Sequence, residues 1–183
     1  MRRVSTLIAA LLTLIYPLAI WFAEGRIEPR VLAGTLLLAG FARLASAQGS
    51  QATRWWLGAT MLLVLLAVWG NAMFPLKLYP VIVNATLLGV FAYSLIAPPT
   101  AIERIARMGD AYLPRPAIHY TRRVTQVWCG FFAVNGAIAL YTALYASSTV
   151  WSFYNGFLAY ILIGLLFAGE YCVRRRVMGR QHG

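Results

Sequence analysis

His119, Tyr120, Arg122 and Arg123 stand almost side by side at the end of a polar stretch, the densest run of chemically capable side chains in the sequence. Two adjacent arginines and a histidine suit an anion, because guanidinium groups grip phosphate or carboxylate through paired N–H donors. The same run suits a membrane anchor, with the arginines among head groups and the tyrosine ring at the interface. His119 has no acid or nucleophile at a recognised spacing, so the sequence assigns no catalytic residue. Cys129 and Cys172 lie in apolar runs, where they read as small buried hydrophobes. They have neither metal-ligand spacing nor a disulfide framework, so no metal or other cofactor is expected.

Other polar residues lie inside apolar sequence. Asn84, Asn135 and Asn155 are of this kind, and lipid gives them no partner, so each must find one on a neighbouring helix. Trp128, Asn135 and Thr142 recur at intervals of seven, which places them on one helix face expected to pack inward. The asparagines either tie helices together, at about 0.6 kcal/mol per contact, or line a path for a ligand. Glu170 is the acidic residue nearest a span interior, and Arg174 one turn later can pair with it along the helix. The candidate substrate- or partner-binding residues are therefore His119, Tyr120, Arg122, Arg123, Trp128, Asn135, Asn84, Asn155 and Glu170.

The elements that must position them are membrane helices. The chain is 61% hydrophobic and 11% charged, with a mean hydropathy of +0.69; a soluble domain carries roughly a quarter charged residues. Its 183 residues make a single helical domain. Runs near the roughly 20 apolar residues needed to cross a hydrocarbon core fall at 4–23, 31–45, 55–74, 79–97, 124–146 and 153–172. The predicted fold class is thus all-α, an integral membrane bundle of about six transmembrane helices. The first run follows Arg2 and Arg3, but Pro17, Trp21 and Phe22 occupy the place where a signal peptide needs small residues, so it is read as a retained helix. The second is the shortest, with Arg43 placed to snorkel.

Residues 98–123 form a polar loop between the fourth and fifth spans, and residues 173–183 a basic tail. In the loop, Ala101, Ile102, Ile105 and Met108 fall on one helical face, and Glu103, Arg104 and Arg107 on the other. That spacing predicts a short amphipathic helix lying in the interface.

Charge sets the orientation. Sixteen Lys and Arg oppose five Asp and Glu. With six spans, Arg2, Arg3, Arg43, Arg54, Arg104, Arg107, Arg115, Arg122, Arg123, Arg174, Arg175, Arg176 and Arg180 face one side. Only Arg26, Arg30 and Lys77 face the other. Basic residues stay cytoplasmic during insertion, so both termini are expected in the cytoplasm. Because these charges flank apolar runs, the expected partners are membrane lipids, including anionic head groups, and a membrane protein or second copy of the chain; nucleic acid is not expected.

Several motifs carry a resemblance. Leu76-Lys77-Leu78-Tyr79-Pro80-Val81, Leu113-Pro114, Val127 to Gly136, Tyr141 and Val150-Trp151-Ser152-Phe153 resemble the intracellular septation protein A family of small bacterial inner-membrane proteins. The stretch Tyr-Thr-Arg-Arg-Val-Thr-Gln-Val-Trp-Cys-Gly-Phe-Phe, beginning at Tyr120, is similar to a group of bacterial membrane proteins encoded beside fatty-acid or aryl-polyene synthesis genes. Where the septation family has a lysine after its last Trp and Phe, this chain continues Trp151-Ser152-Phe153-Tyr154-Asn155. The resemblance implies a bacterial inner-membrane location and supplies no catalytic residue. The expected function is a non-enzymatic membrane protein supporting envelope assembly, septation or a lipid or aryl-polyene pathway. The alternatives are a small transporter or flippase for an acyl or lipid-like product and, less favoured, an acyl-modifying enzyme.

Overall fold

Proline placement decides where two of the long helices begin. Pro80 and Pro116 each occupy the first turn of a helix, where the missing N–H would have no intrahelical acceptor anyway. In a computed structural model, residues 31, 33, 34, 51–70, 74–108 and 113–179 are described. They form α1 (Gln51–Gly70), a short α2 (Phe74–Lys77), α3 (Tyr79–Ile96), α4 (Ala101–Arg107), α5 (Arg115–Tyr145), α6 (Ser148–Phe153), a π-helical turn (Tyr154–Leu158) and α7 (Ala159–Gly179). Among the described residues there is no strand.

Among the described residues, three helical stretches are long and apolar enough to cross a membrane: Phe74–Ile96, Arg115–Tyr145 and Ser148–Arg174. They correspond to the last three expected spans. The expected third span falls on α1, whose apolar portion Met61–Gly70 is shorter. The first two lie outside the described residues, apart from helical backbone at Val31, Ala33 and Gly34. Large apolar side chains point outward along these helices, with Val134, Tyr141 and Leu165 all above 60% exposed. Surfaces of that kind call for an apolar solvent or partner.

Among the described helices, α3 and α5 pack most extensively against each other. Their approach depends on Gly136: a Cβ there would meet the Cβ of Asn84 at 3.1 Å. The buried face of α5 steps by three or four residues through Val124, Trp128, Phe132, Asn135, Ala139 and Thr142. α7 joins it through Ile163, Leu166 and Phe167.

The two ends of this assembly differ in charge. At one end, Arg122 Nη1 donates to the Leu95 carbonyl at 3.1 Å, closing the C-terminus of α3 against the start of α5. Arg104, Arg107, Arg115, Arg122, Arg123 and Arg174 all belong to this end. At the other end, Lys77 Nζ donates to Ser148 Oγ, and Trp151 Nε1 donates to the Lys77 carbonyl at 3.2 Å.

The loop between α3 and α5 is organised differently from the expectation. α4 is present, opened by a capping box between Thr100 and Glu103. However, Glu103 is buried at 5% exposure while Ile105 and Met108 face outward. Glu103 also accepts from Arg107 Nε at 3.0 Å and Nη2 at 2.7 Å, and these contacts let its carboxylate turn inward. α5 moreover starts at Arg115, so the run from His119 to Arg123 is helix rather than loop. Pro114 in extended geometry precedes it, and Pro116 fits its first turn.

Candidate functional site

Two groups of polar side chains lie at different heights along α5, one against α3 and the π-helical turn and the other against α4 and α7, with an aromatic layer between them. The upper group is a closed knot. Asn84 Nδ2 donates back to the Pro80 carbonyl at 2.8 Å. Asn135 Nδ2 donates to Asn84 Oδ1 at 3.0 Å, and the Tyr154 hydroxyl donates to Asn135 Oδ1 at 2.8 Å. One turn along, Asn155 Nδ2 lies 3.3 Å from Thr142 Oγ1 and 2.9 Å from the Trp151 carbonyl. All three asparagines are buried.

The π-helical turn allows this arrangement. Its widened ring closes from Ala159 N–H to the Tyr154 carbonyl, and both Tyr154 and Asn155 are buried within it. Single π turns recur where a helix must reset its inward face. A cavity of about 110 Å³ adjoins the knot, lined in part by Asn84, Asn135, Asn155 and Tyr160.

Beneath it lies the aromatic layer. Trp128 packs against Phe132 with ring centroids 5.5 Å apart and against Phe167 at 4.7 Å, while Phe91 meets Phe132 edge-on at 5.2 Å. These tilted and edge-on arrangements suit the ring quadrupoles.

The lower group borders a larger cavity of about 400 Å³ at the basic end. α4 supplies Ile102, Ile105 and Ala106. The start of α5 supplies Ala117, Tyr120, Thr121, Val124 and Trp128, and α7 supplies Phe167, Glu170 and Arg174. The volume falls within the range of ligand sites, about 300–1,000 Å³, which combine apolar walls with a few convergent polar groups. The polar groups here are specific. The Tyr120 hydroxyl lies 3.1 Å from the Glu170 carbonyl and 3.4 Å from its Oε1. The expected Glu170–Arg174 pair along the helix does not form; among the described residues the ion pair is Arg107–Glu103. Tyr120 reaches the Glu170 carboxylate from across the interface instead.

The structure thus sorts the sequence candidates. Asn84, Asn135 and Asn155 come together, joined by Tyr154, which sequence reasoning missed; its hydroxyl could have been noted as a second polar group beside Asn155. Tyr120, Trp128 and Glu170 meet at the larger cavity. Arg122 closes α3, while His119 and Arg123 are exposed on α5 and outside the cavity lining. Adjacent residues on a helix point about 100° apart, so Arg122 and Arg123 do not converge as one anion clamp. Cys129 is half-buried and Cys172 exposed, both as free thiols. Among the described residues no three His, Cys, Asp or Glu side chains converge as metal ligands.

Comparison with family models, with curated proteins and with solved structures finds no match for this chain.

Proposed function

We propose that this chain is a non-enzymatic integral membrane protein of the bacterial inner membrane that holds a lipid-like molecule at its basic, cytoplasmic end. The observation that carries this reading is the cavity of about 400 Å³ between α4, α5 and α7, with an apolar floor at Val124, Trp128 and Phe167 and polar groups at Tyr120, Glu170 and Arg174. The arginines around it suit the cytoplasmic side and its anionic head groups. The 31 residues of α5 make it about 46 Å long, against a hydrocarbon core of about 30 Å. Its first turns, with Arg115, His119, Arg122 and Arg123, therefore have length enough to stand in the head-group layer. Holding a lipid-like molecule there serves envelope assembly or a lipid or aryl-polyene pathway; the pathway itself comes from the sequence resemblance alone.

A transporter or flippase would need a polar path joining the asparagines to Glu170. Tyr120, beside Glu170, and Asn135 are about 22 Å apart along α5 at 1.5 Å per residue, and the Trp128–Phe132 stack lies between them. That aromatic layer favours a holding site closed at its inner end.

The test is a phospholipid with a photoreactive group on its acyl chain, cross-linked in native membranes and mapped by mass spectrometry. Labelling concentrated at Val124, Trp128 and Phe167 supports the reading. Labelling spread evenly over outward residues such as Val134 and Leu165 would sink it.

A further inference from the structure

The larger cavity carries an opposed pair of charges whose arrangement specifies a head group. Glu170 and Arg174 stand one turn apart on α7, the spacing at which such residues ordinarily pair. Both border the same cavity, yet they do not pair with each other. Tyr120 holds the Glu170 carboxylate from α5 instead. The cavity lining therefore presents a carboxylate and a donor-only guanidinium one helical turn apart, together with apolar side chains at Val124, Trp128 and Phe167.

A ligand with one anionic head would suit Arg174 and be repelled by Glu170; a purely cationic one would meet the reverse. A head with both a primary ammonium and a phosphate suits both, because the ammonium brings N–H donors to the carboxylate and the phosphate brings oxygens to the guanidinium. We propose that the cavity between α4, α5 and α7 selects a phospholipid with a zwitterionic amino-phosphate head, phosphatidylethanolamine in chemical class, with its ammonium at Glu170, its phosphate at Arg174 and one acyl chain on Val124, Trp128 and Phe167. This rests on the reading of the cavity as a lipid-holding site and adds the identity of the head group. Among the described residues at this end, the other carboxylate, Glu103, is occupied by Arg107, while Arg104 and Arg122 donate to the Pro99 and Leu95 carbonyls.

The experiment reconstitutes the full chain in bilayers of equimolar phosphatidylethanolamine and phosphatidylglycerol and counts retained lipids by native mass spectrometry. The expected result is one retained phosphatidylethanolamine, preferred over phosphatidylglycerol by roughly tenfold, the scale of one charge-assisted hydrogen bond. Glu170→Gln keeps an acceptor for Tyr120, so it should abolish the preference while leaving retention, and Arg174→Gln should weaken retention of both lipids. Ala117→Phe fills the cavity and should remove retention altogether; a thermal unfolding curve for each variant shows that it is folded. Equal retention of the two lipids by the unaltered chain, or a preference that survives Glu170→Gln, overturns the head-group assignment alone. Displacement of the lipid by soluble phosphoethanolamine at equal concentration overturns the placing of an acyl chain on Val124, Trp128 and Phe167, since that chain would then contribute nothing. No retained lipid, or retention unchanged by Ala117→Phe, overturns the holding site itself.

Discussion

The asparagine knot and the basic-end cavity both lie along α5, but they use polar groups in opposite ways. In the knot, each asparagine amide donates to another part of the protein, and the Asn84–Asn135–Tyr154 chain passes from α3 through α5 to the π turn before α7. Around the cavity, Glu170 and Arg174 border open volume and do not pair with each other. Polar groups closed on one another hold helices in register, whereas convergent polar groups beside an apolar cavity are the usual preparation for a ligand. The Trp128–Phe132 stack keeps the two apart, Trp128 lining the larger cavity and Phe132 the smaller.

Removing that stack should disturb both sites at once. Trp128→Ala takes away a side chain common to the core and the cavity floor, and should destabilise the protein by about 3–5 kcal/mol, read from unfolding in mixed micelles. Trp128→Phe, keeping an aromatic ring, should recover much of this. A loss below 1 kcal/mol for the alanine variant would mean that the layer does not separate the sites.

Next in size are changes within the knot. Asn135→Ala leaves Asn84 Oδ1 without its donor and the Tyr154 hydroxyl without its acceptor in a buried setting, a cost of about 1–3 kcal/mol. Gly136→Leu drives a side chain into Asn84 and should cost a similar amount, about 1–3 kcal/mol, through overpacking. Neither should alter which lipid the protein retains; a changed lipid preference would mean that the knot belongs to the binding site. A double-mutant cycle between Asn84→Ala and Asn135→Ala isolates the contact itself, and should return a coupling of about 0.6 kcal/mol. The smallest stability effect belongs to the cavity. Glu170→Gln should move unfolding by no more than about 0.5 kcal/mol, because the amide still accepts from Tyr120. A larger loss would make Glu170 a structural residue like the asparagines.

Much of this was legible in the sequence for identifiable reasons. The seven-residue spacing of Trp128, Asn135 and Thr142 gives one buried helix face whatever the partner, and all three side chains are buried. The demand that asparagines inside long apolar runs find partners follows from the absence of water in an apolar surrounding, and Asn84 and Asn135 find each other. Less legible was α4. Its apolar spacing placed Glu103 outward, but a capping box and Arg107 together turn that residue in. The π turn had no period to betray it, since the turn is a departure from periodicity.

The sequence by itself determined the apolar character of this protein, the positions of the three described helices long enough to cross a membrane and the charge contrast along the chain, because each depends on composition or on spacing within one segment. Only the tertiary structure decided which polar groups close on one another and which border a cavity. Asn84 and Asn135 are 51 positions apart, and Tyr120 and Glu170 are 50. Near-equal separations give one pair the task of binding helices and the other a place at a ligand-sized opening, and the difference lies in how closely α3 approaches α5 at Gly136 compared with the space left between α4, α5 and α7.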